Sequence, residues 1–515
     1  MTQSSPHLAS PRPAAPHPVD QVLPAPRLLV LGLQHLFIMY AGAVAVPLIV
    51  GPAVGLGSSD IAILVSADLL VSGIASVIQS VGISKIFGVR LPVVAGATFT
   101  VLNPMIIIAD QYGGRAGLPV VYGSLLVSGV FGLIIAKPFS MILRFFPPLV
   151  TGTVITVIGL SLIGADVSLI AGDNATDSVI AGGKVVSVQD PAYGHVSHIV
   201  LAAVVILIIV AISRFTRGFL SQTAVLIAIV IGTLIAWPMH LVDFSSVASS
   251  GWFGIARPFH FGPPKFEAAA IISMCIVVLV TYTESTADML AVGEMTDKEL
   301  SPSDLARGLA TDGLSALLAG FMNSFPDTAY AENVGLIAMT RVRSRWVVTV
   351  CGGFLILLGI IPKVGAIVSN LPGPVIGGAA TVMFAMVTAI GIRTLHKVDF
   401  EGNHNLLIVA VSLSFGLIPA VASNFYEKFP RDFQIIFGSA ITSTVIVVFL
   451  LNLLFNHWTF LTEPHPGVVT EAVEAGAVIP EEPLPDPVPE SGATMPATMA
   501  QEADALPPER PRPAD

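Results

Sequence analysis

The sequence predicts an all-α polytopic membrane protein with fourteen transmembrane segments, arranged as two inverted repeats of seven. Three observations support this prediction. The 515-residue chain is 54% hydrophobic and only 11% charged, with a mean hydropathy of +0.82, whereas an average soluble domain is about 25% charged. Its apolar residues fall into long runs, and a Pro/Gly pattern recurs seven runs apart.

The apolar runs are long enough to span a bilayer, because with their flanks they approach the roughly 20 residues needed to cross about 30 Å of hydrocarbon. They lack the alternation of a β-barrel, so helices are the expected spanning structure. We divide the chain at Pro, Gly and charge clusters, and segments three and ten are irregular enough to be broken. The fourteen predicted segments are 28–50, 60–83, 91–109, 117–136, 146–165, 197–213, 219–241, 267–291, 304–322, 326–340, 345–368, 373–392, 404–423 and 433–456.

The distribution of charge supports this topology and places both termini in the cytoplasm. With the N-terminus inside, the cytoplasmic connections carry fourteen Lys and Arg residues against seven outside, as the positive-inside rule predicts. Most of the net charge of −10 comes from residues 463–515, which hold eleven Asp and Glu residues against two Arg. This Pro-, Ala- and Glu-rich composition cannot bury enough apolar surface to fold. We therefore expect an acidic disordered tail at 463–515 and a disordered region at 1–26.

The repeat is visible where the fifth and twelfth segments begin, in "FPPLVTGTVITVIGLSLIG" and "LPGPVIGGAATVMFAMVTAIG". Pro148 and Gly152 have the same spacing as Pro374 and Gly378. An odd number of segments per repeat inverts the second copy, as in many secondary transporters. The same relation pairs segment three with segment ten, the two interrupted segments. This agreement favours an inverted repeat over a chance recurrence of Pro-x-x-x-Gly.

The two broken segments predict a polar site at membrane depth. Segment three contains "AGATFTVLNPM", with Thr98 and Phe99 before a helix-breaking Asn-Pro, and segment ten contains "FPDTAYAENVG". Broken helices in transporters face each other near the midplane of the bilayer. A half-helix that begins in either segment directs its free N–H groups and positive dipole end at a polar ligand. We therefore place a candidate substrate site between the two segments.

Ionisable residues inside other segments extend this site. Glu284 and Asp288 of the eighth segment are four residues apart and share one helical face. Acids within an apolar helix usually face a cavity and serve function, although a position near the end of the helix is the alternative. His35 in the first segment and Asp312 in the ninth have either a structural role or a role in coupling and site organisation.

Other classes of chemistry have little support. The sequence has no phosphate-binding Gly loop, zincin motif or nucleophile elbow, so we predict no enzyme, no metal and no cofactor. Cys275 and Cys351 lie within apolar runs and are typical of small buried residues. The expected partners are a small substrate and the lipid bilayer of the cell membrane, with no nucleic acid.

One stretch resembles a family signature. Glu332-Asn333-Val334-Gly335, followed by Thr340-Arg341, is similar to Gln/Glu/Pro-Asn-x-Gly-x(4)-Thr-Arg/Lys/Gly of the nucleobase–ascorbate transporters, with every fixed position present. The resemblance covers approximately residues 25–460 and includes "QHLFIMYAG", "TESTADMLAVGEM" and "FQIIFGSAITSTVIVVFLLNLLFN". The last two stretches are most similar to the bacterial xanthine/uric acid permeases.

The resemblance implies that the fold consists of two domains. Segments 1–4 and 8–11 (27–137 and 246–370) would form a core domain, and segments 5–7 and 12–14 (138–245 and 371–462) a gate domain. Members are typically homodimers that move the core against the gate in an elevator-type motion. They carry nucleobases together with a coupling ion, which we expect to be H⁺, with Na⁺ as the alternative.

The resemblance also implies residue roles at the substrate. Glu284 and Glu332 would bind the ring N–H groups of the base. Backbone near Phe99 and Ala331 would contact its carbonyl groups, and Phe99 or Tyr330 would pack on its ring. A carboxylate that accepts from N–H groups beside backbone donors to C=O groups matches the edge of an oxopurine or oxopyrimidine.

Coupling and substrate choice depend on a few further positions. Asp288, His35 and Asn333 match family positions associated with proton coupling or site geometry. The purine permeases usually carry Gln where this chain has Glu332, and Glu there resembles the uracil permeases. An ionised Glu332 would repel urate, an anion at neutral pH. We therefore rank xanthine or a related oxopurine first, urate second and uracil third.

Two alternatives come from other functional classes. An anion exchanger or channel on a similar inverted-repeat scaffold should replace the carboxylates of the eighth segment with neutral or basic groups. A receptor or scaffold that transports nothing would have no use for two acids in one apolar helix, where they are costly.

Overall fold

In the computed structural model, the part of the chain that is described is almost entirely helical. The described residues are 17–141, 146–172, 176–181, 184–189, 193–401 and 403–457. The predicted disorder of residues 1–16 and 463–515 lies outside them. Residues 17–24 are described and include a 3₁₀ turn at Pro18–Asp20, whose Val19 is buried.

The helices follow the predicted segments closely, and every predicted segment overlaps at least one of them. Four short strands also occur within the described ranges: β1 (Ala95–Ala97), β2 (Thr176–Ala181), β3 (Lys184–Gln189) and β4 (Asp327–Ala329). The α-helices are α1 (Ala25–Ala53), α2 (Ser58–Val81), α3 (Leu102–Gln111), α4 (Leu118–Met141), α5 (Pro148–Ser161), α6 (Ile163–Ala171), α7 (Val196–Phe215), α8 (Phe219–Gln222), α9 (Ala224–Ala236), α10 (Ser245–Ser249), α11 (Ala268–Met295), α12 (Pro302–Met322), α13 (Ala331–Thr340), α14 (Trp346–Gly359), α15 (Pro362–Val368), α16 (Gly373–Leu395), α17 (Asn405–Val421), α18 (Arg431–Phe437) and α19 (Ala440–Asn452).

The helices confirm a polytopic membrane fold, while the count of fourteen segments stays a prediction. Across the described ranges, eight helical stretches are long and apolar enough to cross a membrane, and α14 with α15 forms a ninth that is bent by 84°. The other five predicted segments correspond to the shorter apolar helices α9 and α17, to α12 with its charged residues, and to the two broken segments.

The strands are a departure from a purely helical chain. β1 pairs with β4, and β2 pairs with β3, both antiparallel. The β2–β3 hairpin follows α6 in a connection where the sequence analysis predicted no structure. The β1–β4 pair lies within the two broken segments, where the backbone leaves the helical conformation and finds hydrogen-bond partners in the other segment instead.

Helix packing follows the inverted repeat. α2 packs on α14 and α4 packs on α12, and a shift of seven segments converts one of these pairs into the other. α7 packs on α9 as α17 packs on α19, which are again equivalent pairs. α5 and α16, the two copies that begin with the repeated Pro/Gly pattern, pack against each other.

Glycines allow these helices to approach closely. A Cβ atom on Gly352 of α14 would lie 2.8 Å from the carbonyl oxygen of Gly73 in α2. A Cβ atom on Gly313 of α12 would lie 2.8 Å from the backbone nitrogen of Leu133 in α4. Small residues at such contacts let the backbones approach, which drives helix association in membranes.

A strap formed by residues 17–21 crosses the end of α2 and the start of α14. The Arg345 guanidinium pairs with the Asp20 carboxylate at 2.7 Å, and the Arg345 backbone N–H donates to the Val19 carbonyl at 3.0 Å. The same guanidinium donates to the Ser80 and Val81 carbonyls, both at 2.8 Å. One side chain therefore joins the strap to the last turn of α2 and the start of α14.

We predict that Gly352→Ala destabilises the protein, because the added methyl group would clash with the α2 backbone. Overpacking of this kind costs about 1–3 kcal/mol. Gly353→Ala is the matched control, since Gly353 is exposed and a Cβ atom there meets nothing within 4 Å. Thermal unfolding of the purified protein in detergent is the measurement. Equal midpoints for the two variants would contradict the packing argument.

Candidate substrate site

The site is built on the antiparallel pairing of the two broken segments. All six paired residues are buried. Two more backbone bonds extend the pair: Tyr330 N–H donates to the Val94 carbonyl and Thr98 N–H to the Pro326 carbonyl, both at 3.0 Å. Backbone groups that the interrupted helices leave open are thereby satisfied at membrane depth. The register is Ala95–Ala329, Gly96–Thr328 and Ala97–Asp327.

Two half-helices begin beside this pair. A 3₁₀ turn at Phe99–Val101 follows β1 and leads into α3, and α13 begins at Ala331, directly after Tyr330. Because the strands are antiparallel, the two helices leave the pair in opposite directions, and both N-termini lie next to it. α13 has no side-chain cap, so the N–H groups of its first turn that the helix leaves open are available to an acceptor on a ligand. At the 3₁₀ turn that leads into α3, Thr98 Oγ1 accepts from the Thr100 N–H at 3.2 Å.

Glu284 is held against the first of these half-helices. Thr100 Oγ1 donates to Glu284 Oε1 at 2.8 Å, and Thr98 Oγ1 donates to Oε2 at 3.3 Å. The Glu284 side chain is half-buried. Two hydroxyl groups fix the direction of the carboxylate, and each oxygen retains lone-pair capacity for a further donor. The sequence analysis named Thr98 at this site but gave no role to Thr100, which makes the shorter bond.

Glu332 and Asp288 complete a set of three carboxyl groups. Ala331 and Glu332, in the first turn of α13, are exposed, whereas the following Asn333 is buried. The first turn of α13 therefore borders an open space, and an anionic side chain there is favoured by the helix dipole. Asp288 is half-buried one turn beyond Glu284 on α11 and lies within Coulombic reach of both Glu332 and Glu284.

His35 and Asn333 join the first helix to the tenth segment. Asn333 Nδ2 lies 3.0 Å from His35 Nδ1 and donates to the His35 carbonyl oxygen, also at 3.0 Å. Both residues are buried. With the amide nitrogen as donor, His35 Nδ1 is the acceptor, and the proton of a neutral imidazole is on Nε2. The pair fixes where α13 begins relative to α1.

The two candidate aromatic residues, Tyr330 and Phe99, differ in how exposed their rings are to a ligand. Tyr330 is buried, and its ring occupies space that glycines leave free. A Cβ atom on Gly96 would lie 2.7 Å from its Cε2, and one on Gly42 would lie 2.9 Å from its Cε1. Phe99 is half-buried and meets Phe384 of α16 edge to face, with 5.3 Å between ring centroids. Phe99 is therefore the better placed of the two to stack on a ring.

Asp312 belongs to a different part of the protein. It is buried on α12 and accepts a hydrogen bond at 3.1 Å from Gln79 Nε2 of α2. Two other buried acids were not selected as site residues from the sequence: Asp327, within Coulombic reach of Asp312, and Asp68, within Coulombic reach of Asp327. The signal that identified Glu284, an acid within an apolar helix or a broken segment, is also present at Asp68 and Asp327.

Comparison with known proteins agrees with this architecture. The chain matches the permease family described as Xan_ur_permease over residues 26–425. The uric acid transporter UacT of Escherichia coli strain K12 is 39% identical over 456 residues, which cover 88% of this chain and 90% of that protein. The xanthine permease of Bacillus subtilis strain 168 is 39% identical over 430 residues, covering 84% and 94%.

A solved structure shares the fold at much lower identity. The murine Solute Carrier 26 family member A9 anion transporter, in its inward-facing state, aligns with a TM-score of 0.55 and 12% identity, covering 87% of this chain and 73% of that chain. This similarity concerns the fold alone. The family match and the relatives, in contrast, extend along most of the sequence. The protein is therefore a multi-pass membrane protein of the permease family, and it belongs to the nucleobase–ascorbate transporters, as the signature at Glu332–Arg341 predicted.

Proposed function

We propose that the protein imports an oxopurine nucleobase, xanthine or uric acid, across the cell membrane by symport with a cation. The observation that carries this proposal is the Glu284 carboxylate, fixed by Thr98 and Thr100 beside the exposed first turn of α13, which bears Glu332. Relatives named for uric acid and xanthine transport support the substrate class.

The chemistry of the site fits an oxopurine edge. Carboxylate oxygens of Glu284 and Glu332 accept from ring N–H groups, and backbone N–H groups near Phe99 and Ala331, at the starts of the two half-helices, donate to ring carbonyls. Phe99 packs on the ring face. A base that lacks one of these groups leaves a partner unpaired in a site with little water, so it is rejected strongly.

The movement that we propose separates two groups of helices. α2, α4, α12 and α14 pack chiefly with one another, and α5, α7, α16, α17 and α19 do the same. This packing supports the division into core and gate domains that we propose. The core, which carries the site, would move against the gate in an elevator-type motion within a homodimer. Both termini would face the cytoplasm.

We assign coupling and site organisation to residues that do not themselves bind the base. Asp288 lies within Coulombic reach of the two substrate carboxylates and would respond to a change in their charge. His35 and Asn333 hold the start of α13 in place. We propose H⁺ as the coupling ion, with Na⁺ as the alternative.

A uracil:proton symporter of the same fold is the second candidate, because Glu332 resembles the residue found in uracil permeases. Anion exchange or channel activity is disfavoured at this site, although the murine structural neighbour is named as an anion transporter. Three carboxyl groups converge there (Glu284, Asp288 and Glu332), and they would repel a small anion.

We predict that Glu284→Gln abolishes xanthine uptake, because the amide replaces one acceptor oxygen with a donor. Loss of a charged hydrogen bond costs about 1.5–3 kcal/mol, so affinity should fall by roughly tenfold to a hundredfold. Uptake of labelled xanthine into permease-deficient cells and calorimetry on the purified protein are the measurements.

Glu294→Gln is the matched control for that experiment. Glu294 is an exposed glutamate on the same helix, α11, so its replacement should leave uptake and affinity unchanged. Wild-type affinity in the Glu284→Gln variant would exclude Glu284 from the substrate site.

We predict that Glu332→Gln changes the ranking among xanthine, urate and uracil. Removal of a carboxylate relieves repulsion of the urate anion, so urate should gain by about tenfold relative to xanthine, the change that 1.4 kcal/mol produces. Competition of the three unlabelled bases against labelled xanthine is the measurement. An unchanged ranking would remove Glu332 from the specificity argument.

A further inference from the structure

A second set of acids lies apart from the candidate substrate site, along the contact between α2 and α12. Polar residues recur on α2 every three or four positions and therefore share one face. From the first to the last of them the helix extends by about 16 Å. Every member of the set is buried. We call this set the α2–α12 seam; it consists of Asp68, Ser72, Ser76 and Gln79 of α2, Asp312 and Ser315 of α12, and Asp327 of β4.

Asp327 is the centre of the seam. Ser72 Oγ donates to Asp327 Oδ1 at 2.6 Å, and Ser315 Oγ donates to Oδ2. The Asp327 backbone N–H in turn donates to Ser315 Oγ at 3.1 Å. A carboxyl group whose two oxygens both accept from hydroxyl groups is in the arrangement of a carboxylate. Its side chain is completely buried.

Asp68 contributes an oxygen without a partner. Its side chain is only 1% exposed, and Oδ1 lies 3.5 Å from Ser324 Oγ, at the outer limit of a hydrogen bond. Oδ2 has no hydrogen-bond partner, and the carboxyl group lies within Coulombic reach of Asp327. A buried polar atom left unpaired is costly. Asp166 also has unpaired oxygens, but of these two acids only Asp68 lies beside a second buried acid, Asp327, with which it can share a ligand.

The seam has no positive side chain to balance it. Within the described part of the chain, no Lys, Arg or His forms an ion pair with Asp68, Asp312 or Asp327. The other titratable groups within Coulombic reach of these acids are tyrosine hydroxyls: Tyr122 beside Asp68, Tyr282 beside Asp312, and Tyr330 beside Asp68 and Asp327. Buried charge without a counter-charge is very unfavourable, so the seam must take up positive charge from outside the protein.

The ligand set favours a monovalent ion. Among the described residues, no three or more His, Cys, Asp or Glu side chains are grouped as a metal ion would require, which disfavours a divalent cation that needs several carboxylates. Carboxylate and hydroxyl oxygens suit H⁺ or Na⁺, the ions that intramembrane acids of transporters commonly handle.

We propose that the α2–α12 seam binds one small monovalent cation, H⁺ or Na⁺, through Asp68 and Asp327, and that transport requires this bound cation in addition to the coupling role that we assign to Asp288. The proposal rests on the function proposed above. For H⁺, a carboxylate oxygen takes a proton from hydronium, which leaves water and a neutral carboxyl group, and the proton returns to water on the other side. For Na⁺, the same carboxylates and the Ser72 and Ser315 hydroxyls coordinate the ion.

The seam is connected to the substrate site through β4. Asp327 begins this strand, and three residues beyond it Tyr330 leads into α13 and Glu332. Ser285, the neighbour of Glu284, accepts a hydrogen bond at 3.0 Å from the Ala329 backbone N–H of the same strand. A cation at Asp327 thus favours one position of β4. Because β4 also positions Glu284 and Glu332, the cation and the substrate favour the same conformation of the protein.

The test uses the full-length protein in proteoliposomes and separates coupling from substrate exchange. Asp327→Asn and Asp68→Asn keep side-chain size and remove the negative charge. For one H⁺ per substrate, a gradient of one pH unit supports about tenfold accumulation of labelled xanthine. In both variants we expect accumulation to fall to equilibration, while counterflow of labelled against unlabelled xanthine continues. A parallel series with an inward Na⁺ gradient at equal pH identifies the ion.

Asp166→Asn is the matched control, because Asp166 is an equally buried acid in α6, outside the seam. It should keep both accumulation and counterflow. The proposal is overturned if both seam variants accumulate like the wild type, if both lose counterflow together with accumulation, or if Asp166→Asn loses accumulation to the same extent. If Asp327→Asn fails to fold, the accumulation and counterflow of Asp68→Asn alone test the proposal. A wild type without xanthine accumulation or counterflow would instead contradict the proposed function.

Discussion

The architecture of the candidate site depends on the pairing of β1 with β4. Two interrupted segments at membrane depth leave backbone groups that lipid cannot satisfy, and each segment finds its partners in the other. This exchange fixes where α3 and α13 begin, so it also fixes the free N–H groups that a substrate would meet. It places Thr98 and Thr100 against Glu284 and packs Tyr330 over Gly96. A change that separates the strands would disturb all of these contacts together.

The described part of the chain holds two groups of acids with different surroundings. Glu284, Asp288 and Glu332 are half-buried or exposed, as groups that meet a ligand in an open space should be. Asp68 and Asp327 are buried, and Asp327 accepts hydrogen bonds from two serine hydroxyls. In the sequence all five acids lie in apolar surroundings, and only the structure distinguishes the two groups.

Much of the fold was predictable because its signals are local. Apolar length, Pro/Gly interruptions and the repeated Pro-x-x-x-Gly indicate helices, broken segments and an inverted repeat without any knowledge of contacts. The missing information concerns pairs that are distant in sequence. Ser72 and Asp327 are 255 residues apart and Thr100 and Glu284 are 184 apart, so their pairing follows only from the packing of α2, α11 and β4. Similarly, Tyr330 and Phe99 look equivalent until the glycines around Tyr330 are seen to enclose its ring.

The strap at Asp20 has a consequence for the order of assembly. Residues 17–21 are synthesised before all of the helices, yet their partner Arg345 is synthesised more than three hundred residues later, after most of the helices. At about 5–20 residues per second, this interval lasts tens of seconds, during which the end of α2 lacks the guanidinium that will cap its carbonyls. Closure of the strap is thus a late event in biogenesis, and it can occur only after the chain has completed both broken segments.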